Sequence, residues 1–246
     1  MPATGLERAR RDGTQPWLRP DGKAEVAVKY DDAGKPVVDT VLVSVQHGDI
    51  DLDEVARRIL GDVIEPAFAD VDHDGMKVLV NPCGAWHIGG PLADSGLTGR
   101  KLGVDKYGGL ALDGGGALCG KDPSKVDRSG AYAARWIART IVDSGIANRA
   151  QVQLAYAIGV PRPVSIDVDT FNTGIVKDEE ITRAIRNTFD LRPAAIIRDL
   201  RLNEPGYYAL GAHGHFGDVN RTWEQSVKAD ELIDNLASVN GLVKVE

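Results

Sequence analysis

Between Gly89 and Gly120 the chain places Gly89-Gly90-Pro91, Gly96, Gly99, Gly103, Gly108-Gly109, Gly114-Gly115-Gly116 and Gly120, with neither helical nor strand periodicity between them. Ordering so much flexible backbone costs entropy, and long irregular tracts inside compact domains are usually functional. Regular elements must therefore lie to either side. The charges within it, Asp94, Arg100, Lys101, Asp105 and Lys106, read either as solvated loop residues or as parts of a site.

The end of the tract is its most specific part. Gly114 to Arg128 reads Gly-Gly-Gly-Ala-Leu-Cys-Gly-Lys-Asp-Pro-Ser-Lys-Val-Asp-Arg. Glycines without Cβ let a ligand approach the backbone N–H groups. A helical pattern begins at Val126, so the loop feeds a helix N-terminus, where the dipole favours anions. With Lys121 and Lys125 beside it, the stretch describes a site for a polyphosphate-like anion, the plainer reading being a glycine-rich turn. Asp127 adds a hard oxygen donor suited to Mg²⁺. Gly-Lys followed by Asp-Pro excludes a Walker A loop.

Composition narrows the classes further. The 246 residues suffice for one large domain or two smaller ones, and 43% hydrophobic with 26% charged residues is ordinary for a globular protein. Apolar runs are too short for a membrane span, and the basic N-terminus has no apolar segment behind it, so no secretory signal is expected. Two cysteines, Cys83 and Cys119, make no disulfide framework and favour a reduced, cytoplasmic setting. A net charge of −7 argues against a nucleic-acid partner, so a charged ligand must be held by local cations.

Along the chain, Arg8, Arg10 and Arg11 close a short helix, and Pro16 to Lys23 predicts an ordered turn. Val26, Val28 and Tyr30 alternate as a half-buried strand, hairpinned to Val37–Gln46 with Val41, Val43 and Val45 on one face. Asp51 to Ile64 reads as a helix stopped by Pro66, and Met76 to Val80 as a short strand. Asp127 or Ser124 is expected to cap a helix running to Ser144, with Ala133, Trp136, Ile137, Thr140 and Ile141 on its buried stripe. Val152–Ile158 and Val164–Thr170 read as strands, Asp178–Phe189, Ala194–Leu200 and Ala229–Ala237 as helices. The pattern predicts an α+β fold of two domains with helices on sheets.

Laid side by side, Pro16-Trp-Leu-Arg-Pro-Asp21, Gly96-Leu-Thr-Gly-Arg-Lys101, the Gly114–Ser129 loop, Tyr156-Ala-Ile-Gly-Val160 and Gly214-His-Phe-Gly217 resemble S-adenosylmethionine synthetase (methionine adenosyltransferase). The resemblance runs in order from about Leu6 to the C-terminus. It implies two similar domains of a three-domain fold, each a mixed sheet covered by helices: a central-type domain over residues 1–90 and a C-terminal one over 91–246. It implies a dimer or tetramer packed through sheet faces. The implied reaction joins ATP to L-methionine and cleaves the released triphosphate, using Mg²⁺ and K⁺. By motif, Asp21, Gly22 and Lys23 resemble residues meeting the ribose and phosphates, and Ala85 and Trp86 those at the adenine. Asp94 resembles a carboxylate near methionine and nucleotide. Arg100, Lys101 and Lys121 resemble triphosphate-binding cations, Ala117 a backbone contact to ATP, Lys125 a cation near methionine and phosphate, and Asp127 a Mg²⁺ ligand. Lys23, Arg100, Lys101, Lys121 and Lys125 are thus the implied catalytic cations.

The chain departs from the family in ways that matter. The His-Pro-Asp-Lys and Gly-Asp-Gln-Gly motifs of the family's N-terminal portion are absent from the sequence. The expectation is a split or heteromeric enzyme whose partner chain supplies that portion; the alternatives are a non-catalytic regulatory or scaffold subunit and a piece of an ordinary synthetase. Ala85-Trp86 stands for a usual Arg-Phe, Leu112-Asp113 for Arg-His and Leu118-Cys119 for Phe-Ser. Trp keeps a stacking surface. Asp113 is expected to repel a polyphosphate by ~1 kcal/mol.

Overall fold

A computed structural model describes residues 2–239 except Ala33, Asp72, Thr98 and Pro205. The chain divides into two compact units, Met1–Leu97 and Thr98–Glu246.

In the first unit, strands β1 (Leu18–Tyr30), β2 (Pro36–His47) and β3 (Lys77–Val80) form one mixed sheet in the order β1-β2-β3. β1 and β2 are an antiparallel hairpin, and β2 runs parallel to β3. The alternation of β2 does what its sequence predicts, since Val41, Val43 and Val45 are fully buried. Helix α1 (Pro2–Arg11) adds Leu6 and Ala9 to this core, and α2 (Leu52–Ile59) adds Val55 and Ile59. The Asp51 carboxylate caps α2 by accepting from the N–H of Asp53 at 2.9 Å.

Three expectations for this unit are corrected. The turn expected over Pro16 to Lys23 gives way to strand at Leu18, with a register shift between Leu18 and Gly22. Such a bulge accommodates Pro20, which has no N–H for the ladder. Val26, Val28 and Tyr30 are in strand but not half-buried; they are 36%, 43% and 61% exposed. Nor does Pro66 stop the helix. A π turn at Leu60–Ile64 leads into α3 (Glu65–Phe68), and Pro66 sits inside it. The wider π turn absorbs the misfit, and proline at a first-turn position needs no N–H partner.

The second unit is built around α5 (Val126–Asp143). Its Tyr132, Ala133, Trp136, Ile137 and Ile141 join Ile166, Val168, Ile181, Ile185 and Leu232 in one core. These come from β5 (Ser165–Asp169), α6 (Asp178–Thr188) and α9 (Ala229–Val239), with α7 (Pro193–Asp199) adding Ile196. β4 (Gln151–Ala155) pairs with β5 as a two-stranded antiparallel ribbon, not the mixed sheet expected here. The ribbon is also shorter than the alternation suggested, and Ile158 is fully exposed beyond its end. Two short helices, α4 (Leu102–Asp105) and α8 (Leu210–His213), flank the site described next. Both units are α+β. No described helix is long and apolar enough to cross a membrane.

Candidate active site

The candidate residues fall into two clusters, one in each unit. In the first, β1 and the end of β2 hold the segment 86–90. The His47 N–H donates to the Trp86 carbonyl at 2.9 Å, and the Trp86 N–H donates to His47 Nε2 at 3.2 Å. Gln46 Nε2 donates to the His87 carbonyl at 3.1 Å, while Gln46 Oε1 accepts from the Asp21 N–H at 3.3 Å. Asp21 Oδ2 in turn accepts from the Gly90 N–H at 2.5 Å. Gly89 leaves room for both side chains, because a Cβ there would lie 2.6 Å from Gln46 and 2.7 Å from Asp21 Oδ2 and would displace them. Trp86 is half-buried with its indole N–H donated to the Ile88 carbonyl at 2.7 Å, which fixes the ring. Gly22, Lys23 and Ala85 are exposed beside this arrangement. Asp94 lies past it, its carboxylate accepting from the Gly96 N–H at 3.1 Å.

The second cluster gathers Arg100, Lys101, Ala117, Lys121, Lys125 and Asp127. Gly99, at φ +77°, lies so close to the loop that a Cβ on it would stand 2.9 Å from the Ala117 methyl. Arg100 and Lys101 follow it, both exposed and without an ion pair among the described residues. Lys121 pairs with Asp127, and Lys125 Nζ donates to Asp122 at 2.5 Å. The Lys125 and Asp122 side chains are each 56% exposed, so this pair is open to exchange with a ligand. The N-cap of α5 is Lys125, with no side-chain cap, so neither Asp127 nor Ser124 does the capping expected of them. Their polar atoms are engaged elsewhere: Asp127 by Lys121, and the Ser124 hydroxyl by Lys125 at 3.4 Å.

Asp113 is already partnered. Its carboxylate accepts from the Gly115 N–H at 2.7 Å and pairs with Lys106 at 3.1 Å, which together hold its pKa below the usual carboxylate range. The carboxylate thus stays ionised, with Lys106 offsetting part of its charge.

Sequence reasoning gave no specific role to the cations beneath the loop, naming Lys106 only among the charges of the tract. Lys106 has a 6% exposed side chain and donates to the Gly116 carbonyl at 3.3 Å as well as pairing with Asp113. Arg128, 2% exposed, donates from Nε to the Leu118 carbonyl at 2.8 Å and lies 4.2 Å from the Tyr207 ring centroid. Its Nη1 has no hydrogen-bond acceptor among the described residues. The signal that could have found it was position: Arg128 follows the loop by one helical turn, on the buried side of α5.

Residues 3–86 match the model of the S-adenosylmethionine synthetase central domain, and residues 88–225 that of its C-terminal domain. The chain belongs to the S-adenosylmethionine synthetase family. It is 52% identical over 236 residues to an S-adenosylmethionine synthase of Nocardioides sp., covering 94% of this chain and 60% of that relative. A synthase of Parafrankia sp. is 53% identical over 94% of this chain and 59% of its own length. One of Bifidobacterium adolescentis is 54% identical over 92% of this chain and 59% of its own. The synthetase-family chain thus spans about three fifths of the length of the curated relatives it matches.

Proposed function

We propose that this chain contributes to the synthesis of S-adenosylmethionine from ATP and L-methionine, with hydrolysis of the triphosphate, as one subunit of a split or heteromeric enzyme. An N-terminal synthetase domain on a partner chain supplies the remaining parts. The observation carrying this reading is the loop entering α5, where Lys121 pairs with Asp127, and Lys125 with Asp122 and the Ser124 hydroxyl, on a solvent-facing rim. In the proposed roles Asp21, Gly22, Ala85 and Trp86 meet the nucleoside, and Asp94 and Lys125 meet methionine. Lys23, Arg100, Lys101 and Lys121 bind the triphosphate with the Ala117 backbone. In-line attack of a thioether sulfur on the ribose C5′ needs no general base. Fixed cations stabilise the leaving triphosphate as its charge accumulates, and that is the main demand on these side chains.

Asp127 fits Mg²⁺, which is commonly held by one or two carboxylates together with phosphate oxygens. Bound there, the ion would neutralise part of the triphosphate charge. K⁺ is proposed from the family alone. The domains are proposed as central-type over 1–90 and C-terminal over 91–246, the protein as cytoplasmic, and its assembly as a dimer or tetramer through sheet faces. The exposed apolar side chains of β1 support that last proposal.

Calorimetric titration of the chain with Mg²⁺ and inorganic tripolyphosphate tests the loop. Lys121→Met removes a charge-assisted hydrogen bond of about 1.5–3 kcal/mol, so affinity should fall roughly ten- to hundredfold. Unchanged affinity would overturn the loop's role. Assay of ATP and methionine turnover, alone and with a separate N-terminal domain, tests the partner: turnover by the chain alone would sink the split arrangement.

A further inference from the structure

Behind the anion loop lies a group of side chains that the proposed reaction does not use. Cys119 Sγ is 3.2 Å from His215 Nε2. A carboxylate oxygen of Asp105 completes a set of three donor atoms all within 4.8 Å of one another. They come from three segments: the end of α4, the glycine loop and the turn after α8. His215 is 1% and Asp105 8% exposed, while Cys119 is only partly covered, leaving an approach from the loop side.

The set is held in place before any ligand arrives. The His215 N–H donates to the Asp105 carbonyl at 2.8 Å, and Trp223 Nε1–H donates to the His215 carbonyl at 2.8 Å. The Tyr132 hydroxyl lies 2.7 Å from His215 Nδ1, and the Tyr132 ring stacks on Trp223 at 4.0 Å and 7°. Gly214, at φ +86°, lets the turn press on α4, since a Cβ there would be 2.8 Å from the Val104 carbonyl oxygen. With Nδ1 engaged by Tyr132, Nε2 is left facing the thiol and the carboxylate, the usual arrangement around a metal-bound imidazole.

We propose that Asp105, Cys119 and His215 form a site for a thiophilic divalent cation of the Zn²⁺ class, with its fourth position open. Thiolate, imidazole and carboxylate are the donors such an ion takes, and around a tetrahedral zinc they sit about 3.5 Å apart. The Cys119–His215 spacing is already near that value. Arg128, Arg221 and Lys106 all act electrostatically on His215. Their positive charge opposes any divalent ion alike, so selection rests on the donors: the covalency of a thiolate bond favours a softer ion over a hard, strongly hydrated one such as Mg²⁺. As the metal–sulfur bond forms, the thiol proton leaves to solvent, so that thiolate and carboxylate together balance the ion's charge. The bound ion would tie the glycine loop to α4, the helix that follows Arg100 and Lys101, and stiffen the loop from behind. The site would also set this chain apart from relatives with serine at the position of Cys119.

The test uses the whole chain, stripped of metal by chelation and titrated with Co²⁺ as a spectroscopic probe. One equivalent should give thiolate-to-cobalt charge-transfer absorption and tetrahedral ligand-field bands, displaced by Zn²⁺ and not by excess Mg²⁺. Cys119→Ser, which keeps size and hydrogen bonding, should abolish the charge-transfer band and weaken Zn²⁺ binding by more than about tenfold. Cys83→Ser, at an exposed thiol, should change neither. A wild-type chain without the band, a band surviving Cys119→Ser, or one lost in Cys83→Ser would each overturn the site. These readouts are independent of nucleotide binding, so their failure and that of the synthetase reading are separable.

Discussion

At Gly116 the missing side chain leaves room for a functional one. A Cβ there would stand 2.6 Å from Oδ1 and 2.8 Å from Cγ of Asp127, while the glycine's backbone is not in the left-handed region. Gly116→Ala should therefore fold normally and displace Asp127 from Lys121. The expected result is a Mg²⁺-dependent loss of tripolyphosphate affinity of about tenfold with little change in melting temperature, read by paired titrations and thermal scans. That Lys121, Lys125 and Asp127 share one loop was legible in the sequence because glycine spacing, cations and a helix start coincide there. Lys106 was not. A lysine between Asp105 and Tyr107 carries no pattern, and its burial arises only when the loop folds over it. The partner of Asp113 was invisible for the same reason, until the loop had a shape.

Among the elements, α5 and the segment after α8 are joined by an ion pair that neither reveals alone. Arg135 donates to both oxygens of Glu224, at 2.9 and 2.7 Å, and Glu224 also accepts from the Gly217 N–H at 2.8 Å. Glu224 is 4% exposed, so its partners are Arg135, with Arg139 at 3.9 Å, rather than bulk water. Glu224→Gln leaves the guanidinium without a counter-charge in a half-buried place. A loss of about 3–5 kcal/mol is expected, seen as a lower urea midpoint with unchanged slope. The stripe of α5 was readable because a helix's buried face follows from its own period. The exposure of β1 was not, because alternation says which residues share a face but not whether anything covers it. Pro66 misled in a related way: a proline marks where regular hydrogen bonding must change, and here a π turn makes the change without ending the helix.

Among the described residues the molecule has two cores with no shared residue, one in each unit, and an apolar strand face left open on β1. If that face joins chains, Val28→Lys with Tyr30→Lys should shift the protein toward monomer in sedimentation velocity. Because both positions are exposed, the unfolding temperature of the monomer should hold; an unchanged oligomeric state would place the interface elsewhere. Net charge of −7 gives the chain no long-range pull on anions, so on the proposed function discrimination would fall to the clasp between Lys121 and Asp127. A lone phosphate reaching Lys121 must strand the carboxylate, and a lone Mg²⁺ reaching Asp127 must strand the ammonium. Each bears the whole cost of opening a partly exposed pair, about 1 kcal/mol or less. A metal-bound triphosphate opens the pair once and satisfies both halves. On the proposed function the clasp would therefore work as a coincidence gate, biasing the loop by up to about fivefold toward the complex over either component arriving singly.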